Sequence, residues 1–128
     1  MRTFPAAIGV LFLAACASAP QETSFTGIDT NGGGAMTCVT ERLDDLGYQP
    51  VNQGASETSV RMERTNDEQF WLNLVGIEDS FDVIDVSAQG PLVRLVTYSE
   101  LVRGGERQSA FPTDQTRRAA REAVEKCT

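Results

Sequence analysis

The chain has 128 residues, a formal net charge of −7 and a sequence pI near 4.5. A chain of this length buries a single core, and its acidic balance argues against binding nucleic acid or an anionic lipid surface through general electrostatics. It contains no histidine and only three cysteines, which excludes Ser-His-Asp and Cys-His catalysis and the common histidine-containing zinc sites.

The first residues have the pattern of an export signal. Arg2 precedes an almost uninterrupted apolar segment from Phe4 to Ala15. A membrane-spanning helix needs roughly 20 apolar residues, whereas runs of about 10 to 14 suit the central region of an export signal. Residues 1–15 are therefore predicted to be a signal peptide. The Ala15-Cys16-Ala17 sequence would also fit an ordinary small-x-small cleavage site.

The tetrapeptide Leu13-Ala14-Ala15-Cys16 combines an aliphatic residue, two small residues and a cysteine. It resembles the lipobox of bacterial lipoproteins, and the resemblance covers only the first 16 residues. The resemblance implies cleavage before Cys16 and acylation of its sulfur and of the new amino terminus, and two or more acyl chains hold a protein stably on a membrane. In a source with two membranes, Ala17 in place of an aspartate implies residence on the periplasmic face of the outer membrane.

Residues 16–34 are predicted to be a lipidated flexible tether. The stretch after Cys16 is rich in Gly, Ser, Thr, Pro and Asn and has no sustained apolar period. As a flexible chain it would reach roughly 20 to 25 Å from the membrane. Its triple glycine lacks both the preceding strand and the following GK[ST] sequence of a phosphate-binding loop, so a tether is the better interpretation.

Residues 35–128 are predicted to be one α+β domain that begins with a helix. An apolar stripe at intervals of three and four consists of Met36, Val39, Leu43 and Leu46. Gly47 follows at the position where a left-handed residue ends many helices, and the chain then continues as an extended segment.

After this helix the apolar period changes to two, which predicts strands. Four segments carry the pattern: VRMER from Val60, QFWLNLVGI from Gln69, FDVIDVSA from Phe81 and LVRLVTYSEL from Leu92. Gly90-Pro91 between the last two predicts an antiparallel hairpin. The Gln69 segment also fits a short helix. Its Trp71 is expected in the core, although an exposed ring could instead stack on a glycan or a partner.

A second helix is predicted to follow Pro112-Thr113-Asp114, which supplies a turn and an N-cap. Its apolar face is expected to consist of Ala120, Ala123, Val124 and Cys127. The fold class is thus α+β, with an antiparallel sheet of three to five strands and an N-terminal and a C-terminal helix packed on one face.

The two cysteines outside the lipobox, Cys38 and Cys127, are an even pair in a chain expected to be exported. A disulfide between them would join the two helices and close a loop of 89 residues. A metal site or a reactive thiol is the alternative, and the absence of histidine and of closely spaced cysteines disfavours the metal site.

The acidic stretch EDSFDVID contains Glu78, Asp79, Asp82 and Asp85. In an extended strand, Asp79 and Asp85 would face one way and Asp82 the other, which predicts a turn and a solvated strand face rather than a catalytic carboxylate pair. The spacing also departs from that of a calcium loop, although cation binding stays an alternative. Arg61, Arg94 and Arg103 lie on predicted strands and are expected on solvated faces rather than in an anion site.

These patterns predict a non-catalytic, membrane-anchored lipoprotein that binds no cofactor and no nucleic acid. Its partners are expected to be the membrane, through acylated Cys16, and an envelope protein that contacts a sheet face or edge. A binding module for a glycan, peptide or lipid is the alternative and would require a concave apolar pocket. A carboxylate-based hydrolase is a third possibility and would require two acidic groups facing each other across a cleft.

Overall fold

The computed structural model describes residues 21–26, 34–56, 58–89 and 92–127. The elements in these ranges are, in chain order, β1 (Gln21–Thr26), α1 (Gly34–Asp45), β2 (Gln49–Ser56), β3 (Ser59–Thr65), α2 (Gln69–Leu74), β4 (Asp79–Gln89), β5 (Leu92–Arg103), β6 (Glu106–Ala110) and α3 (Asp114–Cys127). They confirm an α+β fold. Along the chain, strands β2 to β6 follow α1 and precede α3. The predicted Gly90-Pro91 turn lies outside the described residues.

The strands form one antiparallel sheet in the order β1-β5-β4-β3-β2, with β6 also paired to β5. β4 pairs with β5 along its length, from Gln89 opposite Leu92 to Asp79 opposite Val102, which confirms the predicted hairpin. β1 and β6 pair with successive halves of the other edge of β5. The sheet is therefore five strands wide, within the predicted three to five, although it contains six strands.

Strand β1 differs from the sequence analysis, which assigned these residues to the tether. Gln21 lies opposite Thr97 and Thr26 opposite Leu92. The QETSFT sequence has no apolar face to identify it as a strand. Its pairing depends on backbone hydrogen bonds to the otherwise open edge of β5, which local sequence does not encode. The other predicted tether residues, 16–20 and 27–33, lie outside the described part.

Helix α1 ends as its sequence predicts. Gly47 has a φ of +96°. The Gly47 amide donates to the carbonyl of Asp44 at 3.0 Å, and the Tyr48 amide donates to the carbonyl of Leu43 at 2.9 Å. These two bonds form a Schellman motif, which needs a left-handed residue at the glycine position. The apolar stripe is buried at Met36, Val39 and Leu43 and half-buried at Leu46.

Helix α3 begins at the predicted N-cap. The Thr113 hydroxyl accepts a hydrogen bond from the Thr116 amide at 3.2 Å, which satisfies one of the free amides of the first turn. The buried residues of the helix are Thr116, Ala119, Ala120, Ala123 and Cys127. Val124, predicted on the same face, is half-buried. Small alanine side chains allow a close approach to α1, which α3 contacts directly.

The core lies between the helices and one face of the sheet, called here the core face. Buried side chains of both helices join a cluster with Met62, Ile84, Val86, Val93 and Leu95 of β3, β4 and β5. Cys38 and Cys127 form a disulfide with a Cα–Cα distance of 5.8 Å. Cys38 lies near the start of α1 and Cys127 at the end of α3. The predicted covalent link between the two helices is thus confirmed.

Helix α2 replaces the strand predicted from Gln69. β3 is flanked by β2 and β4, and β4 is flanked by β3 and β5. Neither β3 nor β4 therefore has a free edge to which the Gln69 segment could pair as a strand. Asn66 turns the chain away from β3, because its side-chain oxygen accepts a hydrogen bond from the Glu68 amide at 2.7 Å. Gly76, with a φ of +89°, follows the helix. The short-helix alternative is therefore the correct one.

The β5–β6 hairpin was not predicted. Arg103 lies opposite Glu106, so the connecting loop consists of Gly104 and Gly105. Their φ angles are +60° and +81°, the positive pair that a tight two-residue hairpin loop requires. Taken alone, Leu101-Val102-Arg103-Gly104-Gly105 indicates only a strand end followed by a loop. β6 is polar, as ERQSA, and most of its side chains are exposed, so it has no apolar alternation that would identify it.

Candidate functional site

The acidic stretch does not converge on one site. Asp82 lies on the core face, and Asp85 lies on the opposite face, called here the outer face, where it accepts a hydrogen bond from the Tyr98 hydroxyl at 2.9 Å. The Glu78 carboxylate accepts from the Gly105 amide at 3.2 Å, and Asp79 is exposed. Within the described ranges, no three His, Cys, Asp or Glu side chains are arranged to hold a metal ion. Asp82 and Asp85 are thus on opposite faces, as the strand alternation predicts.

Asp82 belongs to a buried polar group that connects the sheet to Tyr48, which follows the end of α1, and to Thr116 of α3. Its side chain is 1% exposed and accepts from Arg64 at 2.9 Å and from Asn66 at 3.0 Å. The Arg64 guanidinium also lies 5.4 Å from the centre of the Tyr48 ring. Burial raises the pKa of Tyr48, whose hydroxyl donates to Thr116 of α3 at 3.1 Å. These contacts stabilise the fold and leave Asp82 no open side toward a substrate.

The outer face of the sheet carries a second polar group, called here the outer-face cluster. Its members are Arg61, Glu63, Asp85, Tyr98, Glu100 and Arg107. Arg61 donates to Glu63 at 2.6 Å, to Glu100 at 2.6 Å and to the Tyr98 hydroxyl at 3.3 Å. Arg107 donates to the same oxygen of Glu100 at 2.5 Å. The cluster therefore brings two guanidinium groups and three carboxylates together across β3, β4, β5 and β6.

Burial shifts the pKa of two members of this cluster, Asp85 and Tyr98. It raises the pKa of Asp85, while the hydrogen bond from Tyr98 and the charge of Arg61 act in the opposite direction. Burial also raises the pKa of Tyr98, and the neighbouring Asp85 carboxylate raises it further. Tyr98 is thus a neutral hydrogen-bond donor at physiological pH, because its proton serves the Asp85 carboxylate.

The outer-face cluster covers apolar residues rather than forming a cleft. Val83 is fully buried on this face, although its neighbours there are the long polar side chains of the cluster. The aliphatic stems of arginine and glutamate cover apolar surface while their charged ends pair with each other. Arg61, expected on a solvated face, is instead held by two carboxylates and a hydroxyl. The arrangement therefore explains how the outer face stays ordered.

An open depression of about 480 Å³ lies beside β2 and β3. Its lining residues are Gly47, Gln49, Val51, Glu63, Arg64, Thr65, Asp67 and Phe81. Most of these side chains are polar, and Arg64 is already paired with Asp82 at 2.9 Å. The depression is open to solvent, and its Glu63 and Arg64 side chains are engaged with Arg61 and Asp82, so it differs from the concave pocket with free polar groups of a usual small-molecule site.

An exposed apolar surface on α2 is called here the apolar patch. None of the contacts described above accounts for its exposure to solvent. It consists of Phe70, Trp71, Leu74 and Val75, whose exposed fractions lie between 64 and 67%. Phe70 and Trp71 meet edge to face, with ring centres 5.2 Å apart. The expectation that Trp71 is a core residue is therefore wrong. A contiguous exposed apolar surface of this kind marks an interaction site more often than a scattered single residue does.

The apolar patch is held on a fixed support. The Gln69 side chain accepts hydrogen bonds from the Ser80 amide at 2.6 Å and the Ser80 hydroxyl at 2.8 Å, and it donates to the Glu78 carbonyl at 3.1 Å. After the helix, the Ile77 amide donates to the Leu72 carbonyl at 3.0 Å, and the Ile77 side chain is buried. The start of α2 is thus tied to the start of β4, and its end is held by the Ile77 amide and the buried Ile77 side chain, so the patch is presented at a defined place.

Acidic residues flank the patch on both sides along the chain. They are Asp67, Glu68, Glu78 and Asp79, all exposed; Asp67 lies 3.6 Å from the Arg64 guanidinium, and no basic residue occurs between Asn66 and Asp79 along the chain. This acidic flank gives the patch surroundings of negative potential, which disfavour a negatively charged partner. It equally disfavours pairing the patch with the same patch on a second copy of the chain.

The patch had a signal in the sequence. Phe70 and Leu74, and likewise Trp71 and Val75, are four residues apart, the spacing that places side chains on one side of a helix. The outer-face cluster had a weaker one, since Arg61 and Glu63 alternate with Met62 on one strand. Its partners on β5 and β6 depend on strand register, which the sequence pattern did not supply.

Cys16, the residue predicted to carry the lipid, lies outside the described residues. In the part that the structure covers, no helix is long and apolar enough to cross a membrane. No protein-family model, no curated protein and no solved structure matches this chain.

Proposed function

We propose that this protein is an exported, lipid-anchored and non-catalytic interaction module whose contact surface is the apolar patch. The observation that carries the proposal is the patch: of the five large apolar side chains that are exposed in the described part of the chain, four lie together on or beside α2. Leaving these side chains in water forgoes the free energy of burial that they would gain in a contact. Their fixed support and their aromatic content are typical of binding surfaces.

The anchored location follows from the sequence. The lipobox-like tetrapeptide ending at Cys16 supports acylation, and Ala17 supports residence on the periplasmic face of the outer membrane. The Cys38–Cys127 disulfide agrees with this location, since disulfides persist in exported proteins. The partners proposed are the membrane, through acylated Cys16, and an envelope component that meets the patch.

The carboxylates give catalysis little support. Asp82 and Asp85 lie on opposite faces of the sheet and are engaged with Arg64 and Tyr98 respectively. Glu63 and Glu100 are both paired with Arg61. A glycosidase needs two carboxyl groups facing a shared cleft. The small-ligand alternative also has less support than the patch, because the depression beside β2 and β3 is open to solvent and its Arg64 is already paired with Asp82.

The first test is mass spectrometry of the protein extracted from its own membranes, before and after reduction, beside a Cys16→Ala variant. We expect an acylated Cys16 in the native protein, no acylation in the variant, and a peptide linking Cys38 to Cys127 before reduction. An unmodified Cys16 would contradict the anchored location. Free thiols at Cys38 and Cys127 would remove the argument for an oxidising compartment.

The second test asks whether the patch makes a contact in cells. A photoreactive amino acid is placed at Trp71 in one variant and at exposed Ser109 of β6 in a control variant. We expect crosslinks to protein or to lipid, identified by mass spectrometry, from the Trp71 position and none from the Ser109 position. Equal yields at both positions, or none at either, would contradict the assignment of the patch as the contact surface.

A further inference from the structure

We infer that the apolar patch lies against a zwitterionic phospholipid bilayer, the same membrane that holds the lipid anchor. This inference rests on the proposed function, because it takes Cys16 to be acylated, and it names what the patch contacts. Three observations carry it: the direction of β1, the length of chain before β1, and the charge around the patch.

The direction of β1 points the anchor toward the end of the sheet that carries the patch. β1 is antiparallel to β5, so going from Thr26 back to Gln21 follows β5 from Leu92 to Thr97, toward Arg103. That end of the sheet is where α2 is attached, since the Glu78 amide donates to the Val102 carbonyl at 2.8 Å. The backbone therefore enters the domain from the side of the patch.

The chain between anchor and domain is short. Pairing of β1 leaves about five residues from Cys16 to Gln21, which span at most roughly 18 Å when fully extended. Along β5, the distance from Thr97, opposite Gln21, to Arg103 is about 20 Å at 3.3 Å per residue. Cys16 and the end of the sheet that carries the patch can thus lie at similar distances from Gln21. A membrane that holds the anchor is therefore within reach of the patch.

A short linker also makes the contact effectively intramolecular. A weak affinity of the patch for lipid is then amplified by the high effective concentration of membrane next to it. The side chains suit this contact, because tryptophan favours the boundary between lipid chains and water, while phenylalanine, leucine and valine enter the apolar region.

The acidic flank selects the kind of membrane. Asp67, Glu68, Glu78 and Asp79 would be repelled by anionic headgroups, and zwitterionic headgroups impose no such repulsion. The patch should therefore prefer phosphatidylcholine or phosphatidylethanolamine surfaces, and admixed anionic lipid should weaken the contact at low salt more than at high salt. A second copy of the chain would bring two acidic flanks together and is disfavoured for the same reason.

Trp71 is the only tryptophan of the chain and is a built-in reporter for this contact. Full-length protein with mass-verified acylation is reconstituted in phosphatidylcholine–phosphatidylethanolamine vesicles that contain lipids brominated at shallow or deep acyl positions. We expect Trp71 emission to shift to shorter wavelength and to be quenched more by shallow than by deep bromines. Replacing about a third of the lipid with phosphatidylglycerol should reduce the quenching at low salt.

Two controls make the readout specific. In the Phe70→Ser, Leu74→Ser, Val75→Ser variant, the anchor and Trp71 remain, and quenching should fall at least several-fold. In the Trp71→Phe, Thr58→Trp variant, the single tryptophan moves to the turn between β2 and β3, near the opposite end of the sheet, and should not be quenched. Near-ultraviolet circular dichroism and the Cys38–Cys127 link verify that each variant is folded.

The possible outcomes separate the two proposals. If Cys16 is acylated and Trp71 is neither shifted nor quenched, the bilayer inference is overturned while the anchored module stands, and crosslinks from position 71 to a protein would then identify the occupant of the patch. Equal quenching of tryptophan at positions 71 and 58 would also overturn it, because the domain would then have no preferred orientation. An unmodified Cys16 overturns both proposals, since nothing would tie the domain to a membrane.

Discussion

The Cys38–Cys127 disulfide should supply a large share of the stability of this small domain. It closes a loop of 89 residues. The chain-entropy relation for a loop of that length gives a loss of about 15.5 cal/mol/K in the denatured state, or about 4.6 kcal/mol at 25 °C. Whole domains are stable by only about 5 to 15 kcal/mol. Removing the bond should therefore bring the protein close to the limit of folding.

The perturbation is the double substitution Cys38→Ala, Cys127→Ala in a Cys16→Ala background, which keeps both chains free of the anchor. Urea unfolding at 25 °C, followed by circular dichroism, gives the free energy of unfolding. With an m-value of about 1.5 kcal/mol/M, the expected loss moves the midpoint down by about 3 M. Reducing the disulfide of the parent chain with dithiothreitol should produce a shift of the same size.

A midpoint shift below about 1 M, in both the substituted and the reduced protein, would refute this reasoning. It would mean that the denatured chain already keeps the ends of α1 and α3 close, so that the crosslink removes little entropy. A large shift in the substituted protein with a small one on reduction would instead assign the effect to lost packing at Cys38 and Cys127, both of which contact the core cluster.

Three further perturbations can be followed by the same urea assay. Asp82→Asn should cost about 2 to 4 kcal/mol because it leaves the largely buried Arg64 guanidinium with only the exposed carboxylate of Asp67, 3.6 Å away, as an ionic partner. Asp79→Asn at an exposed position should cost under about 0.5 kcal/mol. Gly47→Ala should cost about 1 kcal/mol or more, and more than Gly76→Ala: both glycines have positive φ, but only at Gly47 would the added Cβ meet a side-chain atom, at 3.3 Å. The pKa of Asp85 is raised by burial, so its contribution to stability is present below its unfolded pKa and is lost as pH rises through the folded pKa. Asp85→Asn should therefore stabilise the protein relative to the parent increasingly as pH rises from the ordinary aspartate pKa of about 3.9 through the raised folded pKa.

Each of these expectations has a contrary result. Equal losses for the Asp82 and Asp79 variants would mean that the buried ion pair does not contribute. A larger loss at Gly76 than at Gly47 would mean that the side-chain contact is relieved and that backbone strain alone decides the cost. An Asp85→Asn variant that is less stable than the parent at every pH would show that the carboxylate is stabilised by Arg61 more than it is penalised by burial.

Local patterns predicted the elements whose residues face a core at a regular spacing. The stripe of α1, the strand alternation of β3, β4 and β5, and the N-cap of α3 all appear where the sequence places them. Cys38 and Cys127 could be paired from the sequence because one cysteine was assigned to the lipobox and two remained. Burial and helix capping are properties of a few neighbouring residues, so these predictions needed no long-range information.

The predictions that failed concern segments whose state depends on their neighbours. β1 and β6 are polar, and each is a strand because one half of the β5 edge was open to it. The Gln69 segment has the composition of a strand, and it is a helix because β3 and β4 already have partners on both edges. Backbone hydrogen bonding across a sheet is satisfied by whichever chain reaches the open edge, and side-chain patterns carry little information about it.

For the candidate site, the sequence by itself determined which side chains are present: one tryptophan among apolar residues, acidic residues on both sides, no histidine, and a cysteine in a lipobox-like context. Only the tertiary structure decided where these side chains lie and which of them are exposed. It leaves Trp71 and its neighbours on the surface, divides Asp82 and Asp85 between the two faces, and sets the direction in which β1 leaves the sheet. The physical reason is that exposure and direction are set by which surfaces the remainder of the chain covers, and that is a property of the whole fold rather than of any one segment.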